Sequence, residues 1–209
     1  MKLSSYRSPY FSRGFTLIEL LITVAVAAVL ATVAAPSFQT FILNNRITST
    51  SRELLRTFQA ARTEASKRQA NVVVCLADNT PTCTTDTPSG WILFEDTDSN
   101  WEYDQSSDHL IETHALQSST ISLLADGSKR VSYSSTGFAT VGSGTSPQIR
   151  STGIVVCDSR GNATNSGTTS VARGLIITST GRVSTTQTKT SNEPIGIAEM
   201  ITASGSSCT

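Results

Sequence analysis

The sequence predicts an α+β protein in which a long N-terminal helix packs on an antiparallel β head. An apolar run of 21 residues, from Phe15 to Ala35, is followed by a helical pattern that continues to about Gln69. From Asn71 onward, short β-branched segments alternate with Gly, Asp, Asn and Ser, which is typical of strands joined by turns. The chain has 209 residues, enough for one globular domain besides this helix.

The apolar run predicts a membrane helix. Between Phe15 and Ala35 the only ionisable side chain is Glu19. A helix of this length spans roughly 30 Å, which is enough to cross the hydrocarbon core of a bilayer. A carboxylate in hydrocarbon is costly unless it finds a partner, so Glu19 either has a functional role or reaches toward water at the interface.

The segment before the apolar run reads as a leader peptide. It carries Lys2, Arg7 and Arg13, contains no acid, and ends in Gly14. An ordinary secretory signal is cleaved after its apolar core, whereas the boundary that fits this sequence lies before the core. We therefore expect the apolar helix to be retained after cleavage.

The residues after Gly14 read Phe-Thr-Leu-Ile-Glu, and this stretch resembles the processing motif of the type IV pilin and pseudopilin superfamily. The resemblance implies cleavage after Gly14 by a prepilin peptidase and N-methylation of Phe15 as the new N-terminus. It also implies that Glu19 neutralises the terminal amine of a neighbouring subunit when helices bundle into a filament. Pro36, at the twenty-second mature position, is in register with this motif, and its ring predicts a kink or local melting near residues 32–35.

Beyond Pro36 the helix is predicted to become amphipathic. One face is apolar or small and recurs at spacings of three and four: Ile47, Ser51, Leu54, Phe58, Ala61 and Ala65. The opposite side carries charges: Arg52, Glu53, Arg56 and Lys67. The predicted organisation is therefore a leader (1–14), a membrane and filament-core helix (15–35), an amphipathic half (36–69) that packs on the head's own sheet, and a β-rich head (70–209).

The head is predicted to contain eight strands: Asn71–Leu76, Trp91–Phe94, Leu110–Leu116, Thr120–Leu124, Arg130–Tyr133, Gly153–Cys157, Gly174–Ile177 and Arg182–Ser184. Turn signals occur at residues 126–127, 160–162 and 180–181. Two polar stretches, residues 142–147 and 162–170, are predicted to be flexible loops.

The charge is unevenly distributed. The whole chain has 16 basic and 16 acidic residues, and loss of the three basic leader residues leaves a net charge of −3. From Ala70 onward, seven basic residues face thirteen acidic ones. Because non-specific nucleic-acid affinity comes mainly from phosphate neutralisation, such a head is a poor general nucleic-acid surface.

Four cysteines, Cys75, Cys83, Cys157 and Cys208, allow three disulfide pairings. In an exported head disulfides are expected. We favour Cys75 with Cys83, as a short local loop, and Cys157 with Cys208, which would attach the C-terminal tail. A zinc site is the alternative, but the spacing contains no Cys-x-x-Cys pair.

Several head motifs resemble the minor-pilin family that joins FimT and FimU pilins with the H-type pseudopilin of type II secretion: Trp91–Phe94 before an acidic turn, residues 157–161 (Cys-Asp-Ser-Arg-Gly), residues 172–174 (Ala-Arg-Gly) and residues 181–182 (Gly-Arg). The resemblance implies a type IV pilin-like fold and a non-enzymatic subunit that assembles early, at the filament tip, and primes polymerisation. It also implies, as partners, other minor pilins and the major pilin or pseudopilin. The expected location is the bacterial inner membrane, with contact to its lipid and the head in the periplasm, followed by the filament tip. Whether the filament belongs to a pilus or to type II secretion stays open.

One branch of that family binds DNA during natural transformation through a C-terminal Gly-Arg-x-Arg turn, so the resemblance also implies a DNA-binding tip pilin as an alternative function. The matching residues, 181–184, read Gly-Arg-Val-Ser and lack the second arginine. A patch of Arg173, Arg182 and Lys189 is the remaining candidate for a DNA contact. We favour a hairpin turn with an incidental arginine, and DNA is a disfavoured partner.

The segment from Asp96 to Asp104 alternates oxygen-bearing side chains as a calcium loop does. Counted from Asp96, however, the sixth position is Trp101 where Gly is expected, and the twelfth is Ser107 where Glu is expected. We favour a solvated hairpin loop with no metal and no cofactor, and a weak calcium site is the alternative.

Enzyme activity is the class with least support. His109 and His114, five residues apart on a predicted strand, are expected on opposite faces, where they cannot form a ligand pair. The sequence contains no Gly-x-Ser-x-Gly, His-Glu-x-x-His or phosphate-loop motif. No catalytic residue is predicted.

Overall fold

The computed structural model describes residues 14–78, 81–83, 88–125, 130–143, 146–188, 197–204 and 208. The chain divides into two compact units, of which the first ends at Ile42 and the second begins at Leu43. The basic leader residues, the turn predicted at residues 126–127 and Lys189 lie outside the described residues.

The first helix, α1, runs from Leu17 to Arg68. It ends through a left-handed residue, Gln69, whose φ is 55°. The N–H of Ala70 then reaches back to the carbonyl of Ala65 over 3.3 Å, which is the Schellman arrangement. Basic side chains occupy the last turn, where they complement the helix dipole.

The predicted apolar stripe of the second half of α1 is confirmed. All six of its residues are buried, and Thr57 is buried with them. Its apolar members pack into the central core of the head together with residues of both sheets. From Leu43 onward the helix is therefore an integral part of the head.

The head contains eleven strands among the described residues: β1 (Asn71–Ala77), β2 (Gly90–Asp96), β3 (His109–Ala115), β4 (Ser122–Ala125), β5 (Arg130–Tyr133), β6 (Ala139–Ser143), β7 (Ser146–Gln148), β8 (Thr152–Cys157), β9 (Thr164–Ser166), β10 (Thr169–Ile177) and β11 (Val183–Thr188). Each of the eight predicted strands overlaps one of them. The pairings are antiparallel, as predicted.

The strands form two sheets. The first has six strands in the order β3-β2-β1-β5-β6-β7, and the second has the order β11-β10-β8-β4, with β9 paired to β10. The inner faces of both sheets pack with α1 in one core, and other segments cover their outer faces, so several central strands are apolar on both faces.

Strand β1 shows this two-sided burial. Val72 and Val74 belong to the central core beside α1, whereas Val73 and Cys75 belong to a second cluster on the opposite face of the sheet. That second cluster includes Trp101, from the loop between β2 and β3. The loop therefore covers the outer face of the first sheet.

A short second helix, α2 (Ile197–Ser204), covers the outer face of the second sheet. Ile197 and Met200 are fully buried against that sheet. An added Cβ on Gly153 would lie 2.5 Å from the sulfur of Met200, so glycine allows the close approach of α2 to β8. This helix was not predicted from the sequence.

The prediction of flexible loops at residues 142–147 and 162–170 is wrong in part. Residues 142–143 extend β6 and residues 146–147 begin β7, whereas Thr164–Ser166 forms β9 and residues 169–170 begin β10. Serine and threonine carry little apolar area, so the hydrophobic pattern gives no strand signal there. Backbone pairing at the sheet edges orders these stretches instead.

Candidate functional site

The start of α1 is built by local capping. Gly14, Phe15 and Thr16 precede the helix, and the hydroxyl of Thr16 accepts a hydrogen bond from the N–H of Glu19 over 3.2 Å. The carbonyl of Thr16 accepts from the N–H of Leu20 over 3.2 Å. Thr16 thus caps the helix and places Glu19 in the first turn, where the helix dipole favours a negative charge.

The carboxylate of Glu19 is exposed and pairs with no cation within the described residues. The sequence contains no Lys or Arg from Phe15 to Asn45. The apolar half of α1 therefore supplies no cation for Glu19.

The first half of α1 presents a long, uncovered apolar surface. Leu17 is 83% exposed and Val33 is 73% exposed. The helix is long and apolar enough to cross a membrane. Hydroxyls of Thr23 and Thr32 donate to the carbonyls of Leu20 and Val29. Because these polar groups are satisfied inside the helix, the surface stays apolar.

The sequence predicts a kink or local melting near residues 32–35. Local melting is wrong for this structure, because these residues remain helical and α1 continues through the proline, whereas the kink stays a prediction. Pro36 has no N–H, so the carbonyl of Thr32 lacks its usual donor four residues on. The carbonyl of Pro36 itself accepts the hydroxyl of Thr40 over 3.2 Å.

The four cysteines form the two favoured disulfides, Cys75–Cys83 and Cys157–Cys208. Cys75 lies in the second cluster, on the outer face of the first sheet, and Cys83 lies beside β1 through a bridge to Ala77. Cys157 ends β8, and its bond to Cys208 attaches the C-terminal residues to the second sheet. The alternative of a zinc site is thereby excluded in the disulfide-bonded state.

In the acidic loop between β2 and β3, the carboxylates that come together are not the alternating set predicted from Asp96 to Asp104. Carboxylate oxygens of Asp96, Asp98 and Asp108 lie within 4.8 Å of one another. Asp96 ends β2 and Asp108 directly precedes β3, so the pairing of Glu95 with His109 brings the two acids together. Asp108 was not among the predicted site residues, although its position beside the start of the predicted strand was an available signal.

Asp96 is the buried member of this group, with 3% of its surface exposed. Burial raises its pKa to about 6, and a hydrogen bond from the Trp101 N–H opposes this effect. The charge of Asp108 adds to it, as do the charge of Asp98 and a hydrogen bond with the Asp98 side chain, which favours the protonated form. One oxygen, Oδ2, accepts that N–H over 3.3 Å. The other, Oδ1, has no hydrogen-bond partner.

The other residues of the predicted alternating set, Asn100, Glu102 and Asp104, contact groups outside the carboxylate cluster. The carboxylate of Asp104 accepts the N–H and the hydroxyl of Ser106, and these bonds lower its pKa. Glu102 pairs with Arg130 of β5. Asn100 accepts the N–H of Glu102 over 2.6 Å.

The three residues of the candidate DNA patch are not brought together in the described part of the chain. Arg173 is half-buried and its guanidinium donates to the carbonyls of residues 170–172, so it serves the backbone of β10. Arg182 is exposed in the turn before β11. Because Ile177 pairs with Val183, four residues of strand separate Arg173 from the Arg182 end of the hairpin, roughly 13 Å. Lys189 is outside the described residues.

The arginine of the Cys-Asp-Ser-Arg-Gly motif has a structural role. Arg160 makes a two-pronged ion pair with the buried carboxylate of Asp158, with contacts of 2.7–3.1 Å. Its remaining nitrogen donates to Asn44 of α1 over 3.0 Å. The motif therefore joins the end of β8 to the helix.

His114 joins two carboxylates, a contact that sequence reasoning missed. Its ring nitrogens lie 3.0 Å from Glu53 and 2.9 Å from Glu112. The ring stacks on Trp91, with centroids 5.2 Å apart. Glu53 was expected to face solvent, and His109 is exposed. The paired strands shift register between Leu93 and Phe94, so simple alternation does not carry through β3.

Two protein-family models match the chain, one over most of the head and one over the N-terminal segment. Residues 50–181 match the family described as type II transport protein GspH. Residues 11–35 match the prokaryotic N-terminal methylation motif.

Two crystal structures of the type IV minor pilin FimU from Pseudomonas aeruginosa strain PAO1 are similar to the chain. The structure in space group P65 is 15% identical, with a TM-score of 0.44, over 66% of this chain and 91% of that chain. The structure in space group P21 is 16% identical, with a TM-score of 0.46, over 71% and 98%. No curated protein sequence matches the chain.

Proposed function

Because the chain belongs to the GspH family of type IV pilin-like proteins, we propose that it is a non-enzymatic minor pilin that primes assembly of a type IV pilus and lies at its tip. Before assembly it is an inner-membrane protein with its head in the periplasm. Its partners are the other minor pilins and the major pilin. A prepilin peptidase cleaves it after Gly14.

The observation that carries this proposal is the uncovered apolar surface of α1. Large apolar side chains are more than half exposed along this part of the helix, from Phe15 to Phe41. Such a surface is stable only where lipid or other apolar helices cover it. Lipid covers it before assembly, and the helices of neighbouring subunits cover it in the filament.

The proposed filament contact pairs Glu19 with the terminal amine of a neighbouring subunit. A carboxylate among packed apolar helices needs a cation, and this part of the chain supplies no Lys or Arg. Cleavage after Gly14 creates an amine on Phe15 at the same end of the helix. Glu19 can therefore pair with this amine only after the leader peptide has been cleaved.

Pro36 is proposed to let α1 adapt during packing. The carbonyl of Thr32 lacks its backbone donor, so this turn is weaker than its neighbours. Unwinding here would cost less than elsewhere in the helix. The helix is continuous at this point in the single chain.

The two disulfides support a periplasmic head. Disulfides persist in oxidising compartments such as the periplasm and are rare in the cytosol. All four cysteines are paired. Formation of both bonds therefore fits export of the head across the membrane.

A minor pseudopilin of type II secretion is the second candidate, and the description of the matching family favours it. Both filaments would use the same apolar helix and the same processing. The deciding experiment deletes the gene in frame, shears the cells to quantify surface pilin, and measures the secreted proteins of the same cultures.

We expect loss of surface pilin with normal secretion, and restoration by the gene supplied in trans. Intact surface pilin with blocked secretion would replace the pilus assignment by the secretion assignment. If both processes were normal, the proposed role as an assembly primer would be wrong.

A further inference from the structure

The loop between β2 and β3 gathers three carboxylates without a counter-charge. One oxygen from each of Asp96, Asp98 and Asp108 lies within 4.8 Å of the others. Within the described residues, none of the three forms an ion pair with Lys, Arg or His. Like charges this close repel one another strongly unless a cation or a proton is added.

A second observation points to a ligand at the same place. Asp96 is 97% buried, as its exposed fraction is 3%. Its Oδ1 atom has no hydrogen-bond partner, although a buried oxygen without a partner costs free energy. The charges of Asp98 and Asp108 act directly on this carboxylate. The buried, unpartnered group therefore belongs to the cluster.

We propose that Asp96, Asp98 and Asp108 bind a calcium ion at the base of the β2–β3 loop. The ion would neutralise the three carboxylates and give Asp96 Oδ1 the partner that it lacks. Backbone carbonyls of the loop and water would complete the coordination, since calcium takes six to eight oxygen ligands.

The loop already holds the carboxylates in place. Asp108 accepts the N–H of Thr97 over 3.0 Å and the N–H of Asp104 over 2.9 Å. Asp98 accepts the N–H and the side-chain amide of Asn100. Each carboxylate oxygen has a further lone pair, so these bonds leave room for a metal.

The donor set favours calcium over other divalent cations. All three donors are carboxylates, without the His or Cys that zinc prefers. The three oxygens all lie within 4.8 Å of one another, so one ion can contact all of them. Magnesium usually keeps several of its waters and binds through one or two carboxylates, whereas calcium accepts a larger set of protein oxygens.

The site differs from the loop considered in the sequence. The third carboxylate comes from Asp108, the residue after the position where a bidentate Glu was expected. Trp101, which stands where Gly was expected, adopts a left-handed φ of 65° and is buried in the second cluster. Asp104 is bonded to Ser106 and lies outside the cluster.

The test uses the full mature chain, purified from membranes in an uncharged detergent and stripped with chelator. Calorimetric titration with calcium and the melting temperature with and without calcium are compared for wild type, Asp96→Asn, Asp98→Asn and Asp108→Asn. Asp104→Asn is the matched control, because it removes a carboxylate from the same loop. Terbium luminescence sensitised by tryptophan gives a second readout of binding.

We expect a dissociation constant on the order of 10⁻⁴ to 10⁻³ M, as in other extracellular calcium modules. Calcium should raise the melting temperature of wild type and Asp104→Asn. Each of the other three variants should bind at least about tenfold more weakly, because ligand charge sets the affinity. In chelator, Asp96→Asn should melt at a temperature no lower than that of wild type, because the substitution relieves repulsion among the three carboxylates. A variant that melts normally in chelator but does not bind calcium has lost the site and not the fold.

Absence of calcium binding by the wild type at millimolar concentration, in both calorimetry and melting, would overturn the proposal. So would an equal loss of binding in Asp104→Asn, which would indicate diffuse attraction to an acidic surface. Equal affinity for magnesium would overturn the assignment to calcium. None of these results depends on whether the filament is a pilus or a secretion pseudopilus.

Discussion

The indole N–H of Trp91 donates a hydrogen bond of 3.0 Å to the hydroxyl of Thr57, and both residues are buried. Thr57 lies on α1 and Trp91 on β2, 34 positions apart. The same hydroxyl donates in turn to the carbonyl of Glu53 over 3.3 Å. This chain of bonds joins the helix to the first sheet inside an otherwise apolar core.

Replacing Thr57 by Val should destabilise the head by about 1–3 kcal/mol, because it leaves the Trp91 N–H buried without an acceptor. The two side chains have nearly the same shape, so packing changes little. Urea unfolding followed by tryptophan fluorescence measures the difference. Thr63→Val, at an exposed site on the same helix, is the control, and an equal loss there would contradict the explanation.

Gly181→Ala should destabilise the head by about 2–5 kcal/mol. Its φ is +77°, and an added Cβ would lie 2.1 Å from the carbonyl oxygen of Gly137. Gly167 also has a positive φ, of +55°, but nothing lies near its Cβ position. Gly167→Ala should therefore cost only about 1–2 kcal/mol, for the backbone alone. Equal costs in urea unfolding would show that the close approach at Gly181 is unimportant.

Removing the Cys157–Cys208 bond should cost more stability than removing Cys75–Cys83. The bonds close loops with sequence separations of 51 and 8 residues. The chain-entropy model then gives losses of roughly 4 and roughly 2.5 kcal/mol. The two double Cys→Ala variants should be compared by urea unfolding under oxidising conditions. The reverse order would mean that packing around Cys75, in the second cluster, outweighs loop entropy.

Glu19→Ala should leave the protein in the membrane but reduce its incorporation into filaments. The change makes the helix more apolar, so insertion is retained, whereas the proposed partner of the neighbouring amine is lost. Membrane fractionation and immunoblotting of sheared filaments measure the two effects. Thr23→Ala, in the same helix, should assemble normally. Normal incorporation of Glu19→Ala would refute the proposed pairing.

The head should not shift duplex DNA in a gel assay at physiological salt. Arg173 bonds to its own strand, and the region beyond Ala70 is acidic overall. Among the described residues beyond Ala70, Arg182 is the one exposed arginine, and it supplies too few phosphate contacts for stable binding. The full chain in detergent should be tested beside Arg182→Ala. A shift at low salt that this substitution abolishes would contradict the expectation.

The parts of the protein that were predicted well depend on spacing within one element. The apolar run from Phe15 and the buried stripe of α1 follow from helical periodicity. Among the cysteines, the expected export favoured disulfides, the short local loop of Cys75 and Cys83 favoured one pairing, and the structure has the same bonds. The edge strands of Ser and Thr were missed because backbone pairing with a neighbouring strand orders them, without an apolar pattern of their own.

The sequence by itself determined the long apolar helix, the buried stripe of its second half and the existence of short strands, because each follows from residue types and spacing within one segment. Only the tertiary structure decided that Asp108 joins Asp96, that Arg173 lies apart from Arg182, and that the strands form two sheets. These relationships depend on strand register and on which edges pair. A register is set by the packing of whole elements, so a local pattern does not contain it.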